Sequence, residues 1–86
     1  MKYTVDWSTD ACHQLAAIWV DYISHRRIIT SAQAEIDRRL ALDPLGNGTL
    51  LSEDLYAIAI NPLRVVYELT DKPGVLRVVS VKWFPM

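Results

Sequence analysis

Three runs rich in Val, Ile, Leu and Tyr, cut by Asn61-Pro62 and by Asp71-Lys72-Pro73-Gly74, constrain this chain more than any other feature in it. Proline fixes φ, and glycine supplies the positive φ that a tight reversal needs. The stretch from Leu55 to Lys82 is therefore expected to form a three-stranded antiparallel meander. Successive residues of a strand point to opposite sides. Leu63, Val65, Tyr67 and Leu69 then share one face, and Arg64, Val66 and Glu68 the other. In the last run Leu76, Val78, Ser80 and Lys82 oppose Val75, Arg77, Val79 and Val81. One face of this sheet is almost wholly apolar and has to be covered. The other carries a sparse set of polar groups and is the natural place for a solvent-facing site. A meander of this size is marginal alone, so the chain before Leu55 must supply the cover.

That earlier chain has the right periodicities. Tyr3, Val5 and Trp7 alternate with Thr4 and Asp6, as in a short strand. Ser8 or Thr9 offers an oxygen to the free amides of a helix start, with Asp10 in the first turn, where the helix dipole favours it. Cys12, Leu15, Ala16, Trp19, Tyr22 and Ile23 recur at helical spacing opposite His13, Gln14, Asp21 and Ser24, which predicts an amphipathic helix over 10–24. In a second helix Ile29, Ala32, Ile36 and Leu40 keep the period, and Glu35 and Arg39 form an i, i+4 pair. Its start is open between a Ser24 cap and a Thr30–Gln33 capping box. Its end is marked by Asp43-Pro44, followed by Gly46 and Gly48. The expectation is an α+β chain: an N-terminal strand, a two-helix antiparallel hairpin, then the meander. Together they form a four-stranded antiparallel sheet with helices on one face.

Composition bounds the function. At 86 residues the chain is one small domain, and an apolar fraction of 51% with 22% charged residues is that of a globular protein. A net charge of -1 and a pI near 6.0 give no global basic field for nucleic acid. The charge is uneven: residues 1–54 hold five Lys/Arg against eight Asp/Glu, and residues 55–86 hold four against two. A single cysteine, Cys12, excludes an internal disulfide and argues for a reducing compartment. With neither the apolar core of a signal peptide nor a membrane-length apolar run, the protein is expected to be cytoplasmic. Cys12 reads as a small core residue, and Trp7, Trp19 and Trp83 as core or interface. The dibasic pairs Arg26-Arg27 and Arg38-Arg39 read as solvated helix surface. Metal-ligand clusters, phosphate loops and nucleophile triads are absent, so no cofactor is expected.

Ala11-x-x-x-Leu15-x-x-Ile18-Trp19, Ile36-x-x-x-Leu40 before Asp43-Pro44, Leu63-Arg64-Val65-Val66-Tyr67-Glu68-Leu69 and Val75-Leu76-Arg77-Val78-Val79-Ser80-Val81 follow one another in a telling order. In these pieces and their order, from Tyr3 to Lys82, the chain resembles the RelE/ParE superfamily of toxins from bacterial type II toxin-antitoxin systems. That resemblance implies one of two activities. RelE-like members cleave mRNA at the ribosomal A site with clustered basic side chains and a tyrosine on the open sheet face. ParE-like members lack that cluster and poison DNA gyrase. Arg64 matches the arginine that contacts the scissile phosphate in the nuclease branch. Where that branch alternates lysines on the preceding strand, this chain has Ala57 and Ala59. Lys82 stands near where the last strand usually carries another arginine. The family's C-terminal helix, which brings the tyrosine, has no counterpart before Met86.

Attack by a 2'-hydroxyl needs a base, an acid and cationic donors for the developing phosphorane charge, and losing one preorganised donor costs about 100- to 1000-fold in rate. The candidate site is Arg64, Arg77, Lys82 and Glu68. Glu68, beside Arg64 and Arg77, reads first as a cross-strand ion pair, with a base role as the alternative. His13 and His25 lie on the helical layer. The missing lysines and acidic pI tilt the expectation toward a ParE-like or otherwise non-nucleolytic toxin. The alternatives are a RelE-like mRNA endoribonuclease with a reduced basic site and a non-toxic orphan binding module. The implied partners are a cognate antitoxin that folds over the helices and sheet, and ribosome-bound mRNA or DNA gyrase as target. Exposed apolar groups such as Tyr22, Ile28 and the Trp83-Phe84-Pro85-Met86 tail fit that antitoxin, and equally a homodimer.

Overall fold

A computed structural model describes residues Lys2–Pro85. The chain runs β1 (Thr4–Trp7), α1 (Thr9–Asp21), a 3-10 turn (Ile23–His25), α2 (Arg26–Leu42), α3 (Pro44–Asn47), β2 (Thr49–Ser52), β3 (Leu55–Ile60), β4 (Leu63–Leu69) and β5 (Val75–Trp83). The strands form one five-stranded mixed sheet in the order β1-β5-β4-β3-β2.

This corrects the expected four-stranded antiparallel sheet and two-helix hairpin in three ways. First, β1 lies parallel to β5, from Thr4 opposite Val75 to Trp7 opposite Val78. It enters at the β4–β5 turn, where the Thr4 amide donates to the Gly74 carbonyl at 2.7 Å, so it must run alongside β5. Second, the stretch expected as loop contains β2, which forms a hairpin with β3. The reversal is made by Asp54 at φ 60, a left-handed conformation that aspartate tolerates. Third, the Asp43-Pro44 break ends α2 and starts α3, with Pro44 in its first turn and the Asp43 carboxylate accepting from the Gly46 amide at 2.9 Å.

The apolar cover is as the periodicity of α2 predicts. Ile29, Ala32, Ile36 and Leu40 are buried against Ile58, Leu63, Val65, Tyr67, Leu76, Val78 and Val81 of the sheet. Each fully buried aliphatic contributes about 1.5–3 kcal/mol relative to exposure, so this layer outweighs any surface ion pair. Neither Ser24 nor Thr30 caps α2; His25 precedes its first turn without a side-chain cap.

The face of α1 is rotated from the expected one. Ala11 and Ile18 are buried, whereas Cys12, Ala16, Trp19 and Ile23 are exposed. The buried stripe runs Ala11, Leu15, Ile18 and Tyr22, and Gln14 beside it, exposed as expected, accepts through its side-chain oxygen from the Val81 amide at 2.8 Å. Ser8 caps the helix through the Ala11 amide at 3.1 Å. Trp19 is 41% exposed but has the Arg26 guanidinium 3.9 Å above its ring, a cation–π contact. Trp7 is half-buried and donates through Nε1 to Asp37 at 2.8 Å. Trp83 is half-buried and stacked on Tyr22 at 3.8 Å, so neither ring is the free apolar surface expected of it. Ile28 and Phe84 are exposed, at 51% and 48%; Met86 of the expected tail lies outside the described residues.

On the exposed side of α2, Arg38 and Arg39 both donate to Glu35, at 2.6 and 2.8 Å. These hydrogen bonds hold its carboxyl at about 2, below the ordinary 4.5. A carboxylate depressed in the folded state stabilises above its unfolded pKa and loses that contribution as pH falls through the folded one. Urea unfolding is therefore expected to show stability falling from pH near 4.5 toward 2, with part of that slope gone in Glu35→Gln. Solvent screening keeps the difference small.

Candidate functional site

The face of the sheet away from the helices is built by strand parity and by one irregularity. In β4, Leu63, Val65 and Tyr67 are buried in the core, which sends Arg64, Val66 and Glu68 to the open side. In β5, strict alternation would put Arg77 and Lys82 on opposite faces. The pairing of β4 with β5 slips between Val66 and Tyr67: Val66 stands opposite Ser80, but Tyr67 stands opposite Val78. Val79 is thus the extra residue of a β-bulge, and it inverts the phase of everything after it. Leu76 and Val78 before the bulge and Val81 after it all point inward. Arg77, Ser80 and Lys82 consequently share the open face with Arg64 and Glu68.

Register sorts these residues into rows. One row holds Lys82, Arg64 and Ala59; the next holds Ser80, Val66, Ala57 and Thr49; the last holds Asp6, Arg77, Glu68 and Leu55. Arg64 and Glu68 are four residues apart on one strand, about 13 Å at roughly 3.3 Å per residue. The four expected site residues are therefore two pairs, Arg64 with Lys82 and Glu68 with Arg77, at opposite ends of the face. Glu68 is not beside Arg64.

The two ends differ in electrostatics. At one, Arg64 and Lys82 are directly opposed cations with no hydrogen bond or ion pair among the described residues. Like charges so placed repel, so the row is poised for an anion. At the other, Arg77 leans on Asp6 at 3.6 Å across the parallel pair rather than on Glu68, its antiparallel neighbour. This ion pair replaces the expected one, because β1 brings a second carboxylate that sequence reasoning did not place beside Arg77. A depression of about 410 Å³ at this end is lined by Asp6, Glu68, Thr70, Asp71, Lys72 and Arg77, more acidic than basic.

Between the rows the face is small and uncharged. Ala59 faces Arg64 and Ala57 faces Val66, so the positions where the nuclease branch was expected to carry lysines carry methyl groups. The tyrosines of the sheet, Tyr56 and Tyr67, stack on each other at 5.7 Å on the helix side. Burial pushes the Tyr67 hydroxyl up to about 12, which makes it a poor proton donor or base at neutral pH. His25 packs edge-on against Tyr22 and Trp83, and His13 sits exposed on α1, so neither imidazole belongs to the open face. Among the described residues no group of three or more His, Cys, Asp and Glu could hold a metal ion, and no helix is long and apolar enough to cross a membrane.

No protein-family model matches the sequence, and no curated protein matches it. Solved structures do. The chain is similar to the RelBE2 toxin-antitoxin complex of Mycobacterium tuberculosis, at 23% identity over 96% of this chain and 99% of that one, with a TM-score of 0.76. A chromosomal ParDE toxin-antitoxin system of P. aeruginosa matches at 14% identity, 95% and 96% coverage and a TM-score of 0.64. A mutant of the E. coli toxin RelE in its free state matches at 21% identity, 96% and 84% coverage and a TM-score of 0.64. The chain has the fold of the RelE and ParE toxins.

Proposed function

We propose that this chain, built on the RelE/ParE toxin fold, is the growth-inhibiting toxin of a type II toxin-antitoxin pair and acts on a ParE-like or otherwise non-nucleolytic target. The observation that carries the second half is the separation of the open face into two distant pairs. Phosphodiester cleavage needs a base, an acid and charge-stabilising donors converging on one phosphate. Here Arg64 and Lys82, without an ion pair among the described residues, stand about 13 Å along the strand from Glu68, the carboxylate of β4. Ala57 and Ala59 fill the space between with nothing that ionises. The sheet tyrosines face the core. A cytoplasmic site of action and a cognate antitoxin follow from the same reading.

The alternative, a RelE-like nuclease with a reduced site, draws support from one feature: Arg64 and Lys82 are uncompensated and adjacent, as a phosphate site requires. Its electrostatics give a direct check. Asp6→Asn frees Arg77 as a third cation on the open face. If single-stranded RNA lies along that face, affinity rises a few-fold and the slope of log K against log salt steepens by about 0.7, the increment for one added phosphate contact. An unchanged slope is the result the non-nucleolytic reading expects.

The toxin reading itself is tested by induced expression of the chain in bacteria. Growth arrest that is relieved by co-expression of the protein encoded beside it supports the reading; growth indistinguishable from an empty vector overturns it.

A further inference from the structure

The outward side of α1 departs from the usual pattern of a surface helix, which sets charged and polar residues opposite its buried stripe. From Cys12 to Val20 the chain has no Asp, Glu, Lys or Arg. Cys12, Ala16, Ala17, Trp19 and Val20 stand exposed beside His13 and Gln14, and Val20 and Ile23 are each 64% exposed. Next to this face a hollow of about 370 Å³ is lined by Cys12, Leu15, Ala16, Trp19, Thr30 and Gln33. Single apolar residues on a surface carry no message, but a continuous set marks a contact.

The face is uneven along its length, and the unevenness fits a copy of itself. Thr9, Cys12, Ala16, Val20 and Ile23 follow at steps of three and four, so they form one row along the helix. The first half of that row is small and the second half large. A two-fold axis through Ala16 pairs each residue with its mirror position: Val20 meets the partner's Cys12, and Ile23 meets the partner's Thr9. Large side chains then stand over small ones twice, as an isologous interface requires. The ends agree in charge. Exposed Asp10 marks the N-terminal end, while Arg26 and Arg27 outnumber Asp21 at the other. Arg26 is held there by its Nε bond to the Trp19 carbonyl at 3.0 Å. Antiparallel copies bring each Asp10 toward the partner's arginines, whereas parallel ones would set like ends together.

We propose that two copies of this chain associate through α1, antiparallel about Ala16. The contact lies on the helical layer, so the open faces of both sheets stay exposed. The proposal is independent of the toxin reading and stands or falls without it.

Sedimentation velocity on the full chain tests it. A helix of thirteen residues makes a small interface, so a dissociation constant of about 10–100 μM is expected, with the mass rising from 9.8 kDa toward twice that value as concentration increases. Ala16→Glu places two carboxylates together at the axis and should weaken the dimer about 100-fold without lowering the melting temperature. Val20→Cys sets a second thiol opposite the partner's Cys12, so mild oxidation should give a disulfide-linked dimer, and adding Cys12→Ser should abolish the link. Within one chain the two positions are about 12 Å apart along the helix, too far for a bridge. A monomer at every concentration overturns the proposal. So does a dimer that Ala16→Glu leaves intact and Val20→Cys does not link, which puts the contact elsewhere. Cys12 that reacts freely with maleimide at the highest concentration, and is shielded only when the protein encoded beside this one is added, gives the face to that protein and overturns the proposal too.

Discussion

Gly48→Ala is expected to destabilise this chain by about 3 kcal/mol, near the upper end for overpacking a filled core. A Cβ on Gly48 would stand 1.7 Å from the Tyr67 hydroxyl oxygen and 2.8 Å from the ring carbon that bears it. Tyr67 cannot step aside, because it is fully buried and its hydroxyl donates to the Pro44 carbonyl. That bond ties α3 to β4 at the place where the chain leaves the helical layer for β2. Stability of a small domain is only about 5–15 kcal/mol, so the loss is a large share of it. Tyr67→Phe alone should cost about 1 kcal/mol, the net worth of a buried hydrogen bond. In the Gly48→Ala background the same change should help, since it removes the nearer of the two clashing atoms. Urea unfolding of the four proteins measures the coupling; strictly additive costs contradict this account of the junction.

Arg64→Ala and Lys82→Ala should have the second large effect, and it should separate function from stability. Each change removes one of two directly opposed cations that have no partner among the described residues. Such pairs are destabilising in a sheet, so thermal stability should hold or rise slightly in either variant. If the open face is the working surface, viability after induction should recover in either variant, since losing one charge-assisted contact weakens target binding by about tenfold or more. Colony counts and a thermal melt on the same proteins give both readings. Loss of toxicity through loss of folding would appear as a lowered melting temperature and would argue against a functional role for this row.

Much of this structure was legible in local signals. The α2 stripe of Ile29, Ala32, Ile36 and Leu40, the inward face of β4 and the stop at Asp43-Pro44 all follow from period and turn chemistry within a few residues. What stayed hidden depends on distant partners. All four residues of β2 are exposed, so its sequence has no buried-exposed contrast to read. The direction of β1 is set by docking at Gly74, about seventy residues away along the chain. Cys12 is exposed rather than in the core, and exposed Gln14 reaches β5 to accept from the Val81 amide, a partner 67 residues away that α1's own sequence does not reveal. The bulge at Val79 left one trace, namely two cations, Arg77 and Lys82, at opposite parity in a strand whose other face must be apolar. That conflict has a bulge as its simplest solution. It also decided which residues share the open face.

The measurement that bears most directly on the central claim is the state of nucleic acids in arrested cells. After brief induction of the chain, mRNA 5' ends are mapped genome-wide and plasmid supercoiling is assayed alongside. A non-nucleolytic toxin predicts arrest with intact mRNA, and, for a ParE-like target, relaxed plasmid or DNA breaks. Codon-phased mRNA cuts that vanish in Arg64→Ala would contradict it, and would place a working nuclease on a face that has alanine at positions 57 and 59.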